Sequence, residues 1–104
     1  MTLHSTTIEQ VPALQWQRWV TDTGGVIVDV REPLEWQTTG VLPGSELISL
    51  AELPAALGRL DRETPVLVVC RSGNRSQQAA EFLAARGFRR VANLAGGLAA
   101  LGAA

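Results

Sequence analysis

The stretch that decides the fold is VLVVCRSGNRSQQAAEFLAARGF, Val66 to Phe88. Its first four residues form an apolar run rich in valine. Such a run, bounded by turn residues, fits a strand buried on both faces. From Arg75 onward the period changes. Ala79, Ala80, Phe82, Leu83 and Ala84 share one broad face of a helix, and Gly87 suits the left-handed position after Arg86. Between strand and helix stands the only cysteine of the chain, Cys70, with Arg71 and Arg75 on either side of Gly73.

The same alternation continues on both sides. Toward the N-terminus, VIVDV (Val26 to Val30) is a second buried strand, followed by a turn and a short helix in REPLEWQTTG, with Pro33 near its start and Gly40 near its end. VLPG is a turn, and SELISL is expected to be a short strand. AELPAALGRL, with Pro54 early in it, is expected to be a helix. Ahead of these, STTIEQVPALQWQRWV reads as a short N-terminal element leading into a helix whose apolar surface comes from Leu14, Trp16, Trp19 and Val20. Toward the C-terminus, RRVANLAGG reads as a last strand and turn, and LAALGAA as a short terminal helix. Apolar strands alternating with helices imply an α/β fold: a central parallel sheet of about four or five strands, flanked by helices on both faces. In such sheets sites form beyond the carboxyl ends of the strands, where Cys70, Asp29 and Arg31 all fall.

A chain of 104 residues suits one compact domain, and a hydrophobic share of 46% suffices for a core. The net charge of -1 implies no general attraction to nucleic acid or to an anionic membrane. One cysteine forms no internal disulfide, and with His4 isolated near the terminus there is no zinc-ligand pattern. No apolar stretch is long enough to span a bilayer, and MTLHSTTIEQ has no signal-peptide pattern, so a cytoplasmic protein is expected.

A short loop between a strand and a helix N-terminus can aim several backbone N–H groups at one point. The helix adds its own unpaired N–H groups and the positive end of its dipole. A cysteine opening that loop has its thiolate stabilised. Ser72, Gly73 and Asn74 are small or tolerate unusual backbone angles, and Arg71 and Arg75 add positive potential. These are the parts of an activated sulfur nucleophile. An inert, buried cysteine is the alternative for a lone thiol at a strand end, and the two arginines and the glycine weigh against it.

At these residues the chain resembles the rhodanese family of sulfurtransferases. DVREPLEW (Asp29 to Trp36) resembles the family's first motif, and GVLPGS (Gly40 to Ser45) its proline-glycine turn. CRSGNRS with AAEFLAARGF resembles the active-site loop and the helix after it. VANLAGGLAA resembles the final strand and its double-glycine turn. The resemblance runs from about Ile8 onward and implies a single rhodanese-like domain over residues 1–104. It implies transfer of a sulfane sulfur from a small anionic donor, such as thiosulfate, to cyanide, a thiol or a protein cysteine, through a persulfide on Cys70. No metal or organic cofactor is implied. Two features depart from the family pattern: Val41 replaces the histidine of the turn, and the aromatic residue that often follows the double glycine is absent.

The expected site comprises Cys70 with Arg71, Ser72, Gly73, Asn74, Arg75 and Ser76. Arg71 is placed to meet an anionic donor. Arg75 opens the helix against the dipole, which points to an anion nearby or to a role in holding the loop. Ser76 is expected to cap the helix. Asp29 is expected to hold loops by accepting N–H groups or pairing with an arginine. For Arg31, substrate contact and structural pairing remain equally open. Trp16, Trp19 and Trp36 are expected to pack in or around the core. Two rival functions remain: a regulatory or carrier module that passes persulfide to one partner without turnover, and a phosphatase or arsenate reductase on the same scaffold. From Cys70 to Arg75 the loop is six residues, C-x4-R, one shorter than the C-x5-R loop that cradles phosphate in related phosphatases.

Overall fold

In the computed structural model, which describes residues 8–102, five parallel strands form one sheet. The strands are β1 (Glu9–Pro12), β2 (Val26–Asp29), β3 (Glu46–Leu47), β4 (Val66–Val69) and β5 (Val91–Ala95), in the order β1-β5-β4-β2-β3. The helices are α1 (Trp16–Thr23), α2 (Pro33–Thr39) and α3 (Asn74–Ala85). β4 is the middle strand, and all four of its residues are buried, as its apolar run requires.

Successive residues of a strand face opposite sides, so each sheet face gathers its own core. Val28, Val30, Val66, Val68 and Cys70 pack under α3 through Ala79, Ala80 and Leu83. Ile27, Leu67, Val69, Ala92 and Leu94 pack on the other face with Trp19 of α1 and Leu98. Trp16 flanks that second core, and Trp36 is half-buried on α2. α3 ends as its glycine foretold. Gly87 takes φ +91, the Gly87 N–H donates to Ala84 O at 3.2 Å, and the Phe88 N–H donates to Leu83 O at 3.2 Å, a Schellman closure.

Three expected elements differ. Glu9–Pro12, read only as part of an N-terminal element, is an edge strand paired with β5. Its proline lies at an edge and at the strand end, where a missing N–H costs little. Leu53–Arg59, expected to be a helix, is a run of 3-10 turns, and so is Leu98–Leu101. Gly58 and an early proline weaken the first, and the double glycine before the second leaves it too short for α-helix. His4 lies outside the described residues. Among the described residues no helix is long and apolar enough to cross a membrane.

Candidate active site

Cys70 follows β4 directly and Asn74 opens α3, so the loop between them is the strand-to-helix connection. Gly73 turns it, at φ +100. That angle strains any side chain, and a Cβ would also stand 3.4 Å from Leu94 O. Beyond this turn the free donors converge on sulfur. The Gly73 N–H donates to Cys70 Sγ at 3.1 Å and the Ser76 N–H at 3.3 Å. Ser76 lies in the first turn of α3, where N–H groups have no carbonyl partner within the helix. Its hydroxyl oxygen is 3.2 Å from Sγ. Ser76 therefore does not cap the helix, as the sequence suggested; Gly73 occupies the cap position, and the serine faces the sulfur.

Cys70 is fully buried. Burial pushes its thiol up, but hydrogen bonds from the Ser76 hydroxyl and from the N–H groups of Ser76, Gly73 and Ser72 outweigh that, and the thiol lies below its ordinary value.

The loop is held from behind by the double glycine. The Leu98 N–H donates to Cys70 O and the Ala99 N–H to Arg71 O, both at 2.9 Å. C=O and N–H of a trans peptide point in opposite directions, so fixing Arg71 O turns the Ser72 N–H toward the sulfur. Only glycine permits the approach. At Gly97, φ is +64, and a Cβ would collide with Arg71 O and stand 2.7 Å from Cys70 O.

The charged residues sort themselves clearly. Arg31 is buried, and the geometry shows the pairing that was one of its two expected roles. Its Nη2 donates to Asp29 Oδ2 and to Gly40 O, and its Nη1 to Thr39 Oγ1, each at 2.7 Å. Asp29 also accepts the Arg31 N–H at 3.0 Å, so it does both things expected of it. Arg75 meets its anion within the protein: Nη1 and Nη2 donate to the two carboxylate oxygens of Glu35 on α2, at 2.6 and 2.9 Å. The Arg75 guanidinium pulls the Glu35 carboxyl down to about 2, against the upward push of burial. Arg71 and Ser72 are exposed at the lip of the loop, with Asn74. Arg71 makes no ion pair among the described residues and, with Arg31, Leu34, Glu35, Thr38 and Thr39, lines an open pocket of about 340 Å³ between the loop and α2. Among the described residues no group of His, Cys, Asp and Glu is placed to hold a metal ion.

The model of the rhodanese-like domain family matches residues 10–104. The chain belongs to this family. It is 38% identical over 79 residues to the thiosulfate sulfurtransferase GlpE of Pseudoalteromonas translucida, covering 76% of this chain and 74% of that protein. It is 31% identical over 94 residues to a sulfurtransferase of Allochromatium vinosum, covering 89% of this chain and 87% of that protein. Among solved structures, a rhodanese-like domain protein from Staphylococcus aureus superposes with a TM-score of 0.80 at 28% identity, over 89% of this chain and 90% of that one. The resemblance read from four motifs in order is therefore borne out, and so is the α/β parallel-sheet fold.

Three supporting residues of this rhodanese-like domain escaped the sequence reading: Glu35, Gly97 and Asn93. Glu35 is one charge among many until α2 is placed beside the loop. The double glycine was visible as a turn, but not as a support for Cys70. Asn93 carried a usable signal, since it is the one polar residue inside an otherwise apolar buried strand, where it must find partners.

Proposed function

We propose that this rhodanese-like domain, one unit over residues 1–104, is a sulfurtransferase that carries sulfane sulfur on Cys70. The observation that carries the reading is the convergence of the Gly73 and Ser76 N–H groups and the Ser76 hydroxyl on one buried sulfur. Donors that stabilise Sγ as an anion serve both halves of the reaction. In the first half, Sγ attacks the outer sulfur of thiosulfate, the S–S bond breaks, and sulfite leaves with the electron pair. In the second half, a thiolate or cyanide attacks the terminal sulfur of the persulfide, and Sγ leaves with the pair. The sulfur itself is the carried group, so no further cofactor enters either step.

Arg71 is the cation best placed to draw a small anionic donor, because the charges of Arg31 and Arg75 are already neutralised by Asp29 and Glu35. The rim of the pocket around Arg71 suits a thiosulfate-sized anion or the cysteine of a protein acceptor. A lone thiol used this way belongs in a reducing compartment, consistent with the cytoplasm.

Intact-protein mass spectrometry tests the reading. Thiosulfate should add the mass of one sulfur atom, and cyanide should remove it. Cys70→Ala should neither gain the mass nor transfer sulfur; substantial transfer by that variant would overturn the assignment. Transfer to one protein partner at a rate far above that to cyanide or small thiols would move the function to a dedicated carrier. Cys70-dependent hydrolysis of an aryl phosphate at a comparable rate would move it to the phosphatase branch, against the short loop.

A further inference from the structure

The Ser76 hydroxyl has one proton and two neighbours able to take it. Its oxygen lies 3.2 Å from Cys70 Sγ and 2.5 Å from Asn93 Oδ1. Asn93 is buried on β5, beside Val68 of β4, and on the sheet face covered by α3. Its amide has a forced orientation. Asn93 Nδ2 donates to Gly73 O at 3.3 Å and to Gln10 Oε1 at 3.0 Å. A backbone carbonyl only accepts, so the nitrogen belongs on the Gly73 side and Oδ1 on the serine side. Gln10 is held in turn, its Nε2 donating to Ile8 O and Gln77 Oε1.

With the sulfur protonated, one chain satisfies every group: the S–H donates to Ser76 Oγ, which donates to Asn93 Oδ1. With the sulfur ionised, the first donor is gone, and the hydroxyl can serve only one of two acceptors. We propose that Asn93 is a positioning residue for the reacting sulfur, acting through Ser76: it holds the hydroxyl while Cys70 is protonated or persulfurated and competes for it when Cys70 is a thiolate. Hydrogen bonds to ionised acceptors are the stronger ones, so the hydroxyl swings to the thiolate and the Asn93 bond is given up. That swing falls at the two moments when Sγ is anionic, as nucleophile toward the donor and as leaving group from the persulfide. The inference rests on the reading of Cys70 as the reacting sulfur.

The other charges near the sulfur are Arg75 of α3, paired with Glu35 of α2, then Arg71 of the loop and the Asp29–Arg31 pair beyond β2. β4 and β5 bring no titratable side chain. These groups stay constant across a cycle of four proteins: wild type, Ser76→Ala, Asn93→Ala and the double variant. The thiolate absorbance of Cys70 is titrated in each; the chain has no tyrosine, so no phenolate overlaps the signal. Ser76→Ala should raise the thiol pKa by about one unit or more, the loss of a hydrogen bond to a charged group. Asn93→Ala should lower it, by up to about one unit, when Ser76 is present, and leave it essentially unchanged in the Ser76→Ala background. A rise, no shift, or an equal shift in both backgrounds overturns the proposal. Should Asn93→Ala fail to fold, Asn93→Asp keeps the shape and strengthens the acceptor. Its pKa rise should then be larger with Ser76 than without, and an equal rise overturns the link. The titration involves no sulfur transfer, so a protein inactive toward thiosulfate still answers it.

Discussion

The ends of β2 and β4 are neighbours built from similar parts. Asp29 pairs in register with Val69, so Arg31 and Arg71 each stand two residues beyond the matched pair. Each loop then enters a helix, α2 or α3. Their outcomes are opposite. Arg31 is buried and spends its guanidinium on Asp29, Thr39 and Gly40. Arg71 is exposed, and the donors around it point instead at the sulfur of Cys70. One strand end satisfies its polar groups among themselves and becomes a structural knot. The other gathers several donors on one polarisable atom, the sulfur we propose as the reacting one. What separates them is the matched pair of positions: Asp29 brings a carboxylate that closes on Arg31, whereas Val69 offers Arg71 no counter-charge and the loop donors turn to the sulfur of Cys70, one residue on.

The largest effect should come from breaking the closed end. Asp29→Ala leaves Arg31 buried without its counter-charge, and urea unfolding should show a loss of about 3–5 kcal/mol. A loss under about 1 kcal/mol would mean that water reaches Arg31 and that the knot is not closed.

Next comes the support of the open end. Gly97→Ala sets a Cβ against Arg71 O at φ +64, so the loop or the Leu98–Leu101 segment must shift. The stability loss should be about 1–3 kcal/mol, with sulfur transfer reduced by a much larger factor than unfolding explains. Unchanged transfer in the folded variant would show that the cradle does not depend on this support.

Glu35→Gln tests the bridge between the two ends. Glutamine can keep the hydrogen bond to the Glu32 N–H while removing the charge that faces Arg75. The Glu35 carboxyl is depressed in the fold from 4.5 to about 2. Its stabilisation is therefore complete above pH 4.5 and is lost as pH falls toward about 2. Unfolding free energies from urea titration should differ between wild type and variant by about 1 kcal/mol at neutral pH, because the pair is partly exposed, and should converge only as pH falls to about 2. A difference that persists at low pH would assign the effect to packing.

The smallest stability effect belongs to Arg71→Ala, expected within about 0.5 kcal/mol. Its signature is kinetic: KM for thiosulfate should rise a few-fold at low ionic strength, and less at high salt, because salt screens an exposed charge. An unchanged KM at low salt would make Arg71 an ordinary surface residue.

Sequence alone determined the alternation of buried strands and helices, because apolar runs such as Val66–Val69 and the helical spacing of Ala79, Ala80 and Leu83 are local patterns. It also placed Cys70 in a glycine-turned loop at a strand end, since the change of period and Gly73 lie within a few residues of each other. The marginal elements were less legible: Glu9–Pro12 is a strand only because β5 offers it an edge, and Leu53–Arg59 shows that a helical composition does not secure α geometry. Only the tertiary structure decided the partners. Glu35 and Arg75 are 40 positions apart, and Ser76 and Asn93 are 17 apart. Their meeting depends on strand order and on the side of the sheet each helix covers. Those are long-range consequences of burying both faces of one sheet, and no short window of residues contains them.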